Sequence, residues 1–149
     1  NEAELKGRVE VEYEKFIMKV QIESRVLADL AINHIVPVAI EYQTMLLENV
    51  RNLKEVFDAE EYKKLAGARI ELIKTINEHI STIKAKREAM IEERKKSNAI
   101  SDVVKRAVAY DKNVKPYLEE IREHIDKLEL IVDNEKWPLP KYRELLFTR

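Results

Sequence analysis

Three histidines are the side chains whose type and spacing could do chemistry. His34, His79 and His124 recur at equal intervals of forty-five residues, and each is followed by isoleucine. Imidazole ligates transition metals and titrates near neutrality, so three rings at one height of a helical bundle would form a layer able to hold a metal or to sense pH. Glu78 and Glu123 stand directly before two of them. Equal helix lengths would produce the same interval with each ring taking a separate hydrogen bond, and convergence of the ring nitrogens is what separates the two readings.

Other chemical templates fail. The chain has no glycine-rich phosphate loop, no G-x-S-x-G and no H-E-x-x-H. The di-iron bundle pattern needs glutamate three residues before histidine, and those positions hold Ala31, Ile76 and Ile121. Without cysteine there is no thiol nucleophile, disulfide or thiolate ligand. No catalytic or cofactor-binding residue is assigned, and the histidines are the only candidates for a metal. The run Lys84, Lys86, Arg87, Arg94, Lys95, Lys96 is interleaved with Glu88, Glu92 and Glu93. It contains no aromatic ring to stack a base, so pairs such as Lys84–Glu88 and Glu92–Lys96 on a solvated helix face account for it better than nucleic acid does. A net charge of −1 gives no global field for a polyanion. No apolar run approaches a membrane span and nothing resembles a signal peptide, which points to a cytoplasmic protein.

The elements that would position these residues are helices. Tyr13, Phe16, Val20, Leu27, Ala31, His34, Val38, Tyr42, Met45, Asn49, Leu53 and Val56 step by threes and fours, with a longer gap at Glu23-Ser24. Pro37 lacks an N–H and crowds the carbonyl of Asn33, which predicts a kink. Arg25, Asp29 and Asn33 form an i, i+4 ladder on the polar side. Asp58 and Glu61 mark a new helix start. Its seam is Ile73, Ile76, Ile80, Ile83, Arg87 and Met90, and Gly67 near its beginning suggests a close crossing or a distortion. Ser101 opens a third helix, weak over Asp111–Pro116, with the seam Val114, Leu118, Ile121, Ile125, Leu128 and Val132. Few glycines and prolines and 37% charged residues against 45% hydrophobic agree with this pattern. The fold class is therefore all-α. The chain reads as one domain, 1–149, an antiparallel bundle of three long helices at about 9–57, 59–96 and 101–132, the first kinked near Pro37. A tail at 134–149, aromatic and stiffened by proline, should dock on the bundle or on another domain.

The stretch Glu23-Ser-Arg-Val-Leu-Ala-Asp-Leu-Ala-Ile-Asn-His-Ile-Val-Pro37, then Tyr42-Gln and Glu48-Asn-Val-Arg-Asn-Leu-Lys54, resembles the C-terminal region of type III glutamine synthetases. So does Arg122-Glu-His-Ile-Asp-Lys-Leu-Glu-Leu-Ile-Val-Asp133, running into Trp137-Pro-Leu-Pro-Lys-Tyr-Arg-Glu-Leu-Leu-Phe147. The resemblance implies a C-terminal domain of a larger enzyme that joins ammonia to glutamate with ATP and a divalent metal, Mg or Mn, in cytoplasmic homo-oligomers. None of that enzyme's catalytic motifs is present, so this piece is expected to be non-catalytic and to hold no cofactor itself. Its expected role is structural, in assembly or in regulation. Its expected partners are its own catalytic domain and neighbouring subunits, not nucleic acid or membrane. Trp137, Pro138, Pro140, Tyr142, Leu145 and Phe147, with Arg25, Asp29 and Asn33, are the expected interaction residues. A module recruiting a regulatory partner, or a metal-binding helical bundle, are the alternatives.

Overall fold

The computed structural model describes residues 1–146, without the side chains of Tyr142 and Arg143; Phe147 lies outside the described residues. Every element there is helical. They are α1 (Glu2–Leu30), a π turn (Ala31–Ile35), α2 (Val36–Val56), α3 (Ala59–Asn98), α4 (Val103–Ala109), a second π turn (Tyr110–Val114), α5 (Lys115–Ile131) and the short α6 (Tyr142–Leu145). The three helical stretches expected from the periodicity are thus present, with a short C-terminal piece after them.

Both π turns end two residues before a proline, Pro37 in one case and Pro116 in the other. A proline ring in a regular α-helix collides with the carbonyl four residues back. A turn bonded five residues back is wider and moves that carbonyl aside, so the helix continues across the proline. Asp111–Pro116, weak by pattern, therefore spans the second π turn and the first residues of α5 and is not a helix break.

The helix ends are capped by short polar side chains. The Ala3 N–H donates to Asn1 Oδ1 at 3.1 Å, so α1 begins at Glu2, ahead of the apolar face. The Glu60 and Glu61 N–H groups donate to Asp58 Oδ1 at 3.0 and 2.9 Å. At α4 the cap is Asp102, which accepts from the Lys105 N–H at 2.8 Å; the carbonyl of the neighbouring Ser101 takes Arg106 instead. Gly67 sits inside α3 with open space where a Cβ would stand, so neither a close crossing nor a strained turn explains it.

The chain divides into two compact units. The first comprises Asn1–Leu30 and Lys84–Glu123. Its core is Ile17, Val20, Ser24 and Ala28 from α1, Met90 from α3, and Ala107, Tyr110, Val114, Leu118 and Ile121 from the third stretch. The second comprises Ala31–Ile83 and the chain from His124 onward. There Ala31, Ile35, Ala39, Leu46 and Val50 are buried with Ile76, Ile80 and Ile83 of α3 and Ile125, Leu128 and Val132. Gln43 reaches across to the Ile73 carbonyl at 3.0 Å and fixes the antiparallel register of α2 on α3.

The seams of α3 and α5 are those the spacing predicts. The first stretch differs. Its buried line passes through Ser24, which is wholly buried and donates to the Gln21 carbonyl at 2.9 Å, whereas His34, Met45, Asn49 and Val56 face solvent. The gap expected at Glu23-Ser24 is thus no gap in the buried line, which Ser24 itself fills. No helix among the described residues is long and apolar enough to cross a membrane.

Candidate functional site

In the second unit the seams of α3 and α5 bring two of the three histidines together. Ile76 and Ile80 are buried on one helix and Ile125 and Leu128 on the other, which leaves His79 and His124 half-buried at the edge of that packing. Their Nδ1 atoms lie 2.8 Å apart, with ring centroids 5.1 Å apart and planes inclined by 57°. Two bare nitrogens would repel at that distance. One Nδ1 must carry a hydrogen and donate it to the other, so the two rings hold opposite tautomers when neutral. Burial, followed by the neighbouring His124 and then Lys127, pushes His79 below its ordinary range, with Glu78 opposing.

His34 is exposed on the π turn and does not join the pair. The described residues contain no group of three or more His, Asp or Glu side chains placed to hold a metal ion.

The tail docks within the same unit through Trp137, Lys141 and Lys136. Trp137 is buried, and its N–H donates to the Asp133 carbonyl at 3.0 Å. Lys141 is 8% exposed. Its Nζ donates to the Val132 carbonyl, just beyond the C-terminal end of α5, and stands 5.8 Å from the centre of the Trp137 ring. Lys136 pairs with Glu41 of α2 at 2.8 Å. Pro138 and Pro140 are exposed, as is Leu145, and the side chain of Tyr142 lies outside the described residues. Nothing in the sequence pattern marks Lys141 as buried: a lysine is normally a surface residue, and only the fold reveals the carbonyl it reaches.

In the first unit a polar triangle joins α1, the end of α3 and the second π turn. Gln21 Nε2 donates to Asn98 Oδ1 and to Tyr110 Oη, both at 3.0 Å, and the Tyr110 hydroxyl donates to Asn98 Oδ1. Tyr110 is wholly buried. Beside it, Val9, Tyr13, Phe16, Ala107 and Val108, together with Glu12, Asp111 and Lys112, line an open groove of about 630 Å³. On α1, Val11, Met18, Ile22 and Val26 are all exposed at helical spacing, an apolar stripe left uncovered. Arg25, Asp29 and Asn33 are exposed as well. The basic run of α3 is compensated locally, by Lys95–Glu92 at 2.8 Å and Lys96–Glu93 at 2.7 Å. These are i, i+3 pairs; Lys96 takes Glu93 where the spacing also offered Glu92.

Residues 1–54 match the family model described as glutamine synthetase C-terminal domain. Over all 149 residues the chain is 57% identical to a glutamine synthetase of Bacteroides fragilis (strain YCH46). It is 28% identical over 154 aligned positions to a type-3 glutamine synthetase of Dictyostelium discoideum, with 98% of the chain covered. In both cases it spans only 20% of the relative's length. Among the described residues no three His, Asp or Glu side chains converge, and both glycines lie inside helices.

Proposed function

From a chain that is similar along its whole length to the C-terminal part of glutamine synthetases, we propose a non-catalytic helical domain that braces a larger ligase and contributes to its subunit assembly. The catalytic part of that ligase joins ammonia to glutamate with ATP and a divalent metal. This segment supplies none of the ligands and instead covers, or is covered by, the rest of the protein. The observation that carries the reading is the 57% identity maintained over 149 residues to a glutamine synthetase five-fold longer, as the 20% coverage gives it. The exposed apolar stripe of α1 supports it, because Val11, Met18, Ile22 and Val26 at helical spacing form a face suited to burial against a neighbour. The partners are accordingly the catalytic domain of the same polypeptide and neighbouring subunits, and the setting is the cytoplasm.

The test is removal of this segment from a full-length glutamine synthetase that carries it, followed by sedimentation, thermal melting and glutamine formation. Smaller assemblies and a lower melting temperature are expected. An intact assembly with unchanged stability and turnover defeats the bracing role, and ligase turnover by the 149-residue chain alone defeats the non-catalytic one.

A further inference from the structure

We propose that the His79–His124 pair is a proton-operated clasp between α3 and α5: it tolerates one added proton with the contact intact and opens when a second arrives. The argument starts from the 2.8 Å separation of the two Nδ1 atoms. In the neutral pair one ring is the Nδ1–H tautomer and the other the Nε2–H tautomer, joined by a single N–H···N bond. The first proton enters at the free Nε2 of the donor ring. That ring becomes an imidazolium, its Nδ1–H still donates, and the bond gains charge assistance. The second proton has only the acceptor's Nδ1 to occupy. Both facing nitrogens then bear hydrogens, the bond is lost, and two positive rings stand with their centroids 5.1 Å apart.

The surroundings favour refusal of that second proton. Lys127 on α5 adds positive charge beside His79, Glu78 on α3 opposes it, and burial weighs against charge altogether. On the α2 side, the Gln43–Ile73 bond sets Pro37 level with His79. The titratable groups within a turn of Pro37 are His34, which is exposed, and Glu41, which is engaged by Lys136. Glu123, next to His124, is exposed. A histidine held below its ordinary value of 6.5 binds more protons unfolded than folded. Its contribution to stability is therefore complete above that pH and is lost as pH falls below it.

The clasp is tested by side-chain NMR of the 149-residue chain, 15N-labelled at its histidines, from about pH 8 down to about pH 4.5. At the alkaline end one ring of the pair should carry its hydrogen on Nδ1 and the other on Nε2. Protons should enter the pair in two steps more than about one pH unit apart. The lower step should coincide with loss of the ring-to-ring contact and with shifts in the α3 and α5 amides around it. In His124→Gln, His79 should titrate in one step at higher pH, and the acid-induced shifts of the α5 amides should vanish; His79→Gln should likewise abolish those of the α3 amides. A single joint step for both rings, two Nε2–H tautomers at high pH, or amide shifts that persist in both variants overturns the proposal. The wild-type titration decides alone if either substitution unfolds the chain.

Discussion

At the scale of single residues, the informative positions are polar groups inside an apolar frame. Tyr110 is buried with a hydroxyl shared between Gln21 and Asn98. Tyr110→Phe keeps the packing and removes the bond, so unfolding in denaturant should show a loss of about 0.5–1.5 kcal/mol with an unchanged slope. Gly67 gives the opposite sign. No atom stands where its Cβ would be, and it lies within α3. Gly67→Ala should stabilise the chain by about 1 kcal/mol in the same experiment. Part of this layer was legible in the sequence. The equal spacing of the histidines located the His79–His124 contact, because α3 and α5 are regular over those residues. Spacing fixes height along a bundle but not the face a side chain takes, and His34, on the first π turn, is exposed and outside that contact. Ser24 and Lys141 were illegible for another reason: small and long polar residues are read as solvated unless a partner can be seen.

At the scale of elements, periodicity found the seams of α3 and α5 almost residue for residue, whereas the seam of the first stretch was displaced around the helix. The large residues Tyr13, Phe16 and Met45 draw the eye, yet the buried line runs through Ser24, Ala28, Ala31 and Ala39. Small side chains let helices come near, and they carry little weight in a hydrophobic pattern. The tail offers a contrast between two tethers. Trp137 is buried, and Trp137→Ala should cost about 3–5 kcal/mol. Lys136 and Glu41 pair at 2.8 Å near solvent, and Lys136→Ala should cost less than about 1 kcal/mol. Chemical denaturation followed by far-ultraviolet circular dichroism separates the two.

At the scale of the whole molecule, the outer face of α1 carries the prediction. Met18 and Ile22 are 60% and 56% exposed. Replacing both with glutamate should leave the melting of the 149-residue chain within about 0.5 kcal/mol per site, as surface changes do. The same double substitution in a full-length glutamine synthetase bearing this segment should reduce the assembled fraction on sedimentation. Equal assembly of the two forms would remove the stripe from the contact surface. The helical spacing of these side chains is legible in the sequence, but their exposure is not, because it depends on which face of α1 the other helices take.

The two wide turns have a further consequence in isotope exchange. An amide that reaches five residues back sits in a looser ring than its neighbours, and the prolines at 37 and 116 contribute no amide of their own to secure the ladder. Deuterium should therefore enter at 31–35 and 110–114 sooner than along the regular backbone on either side, leaving two early leaks in otherwise slow helices.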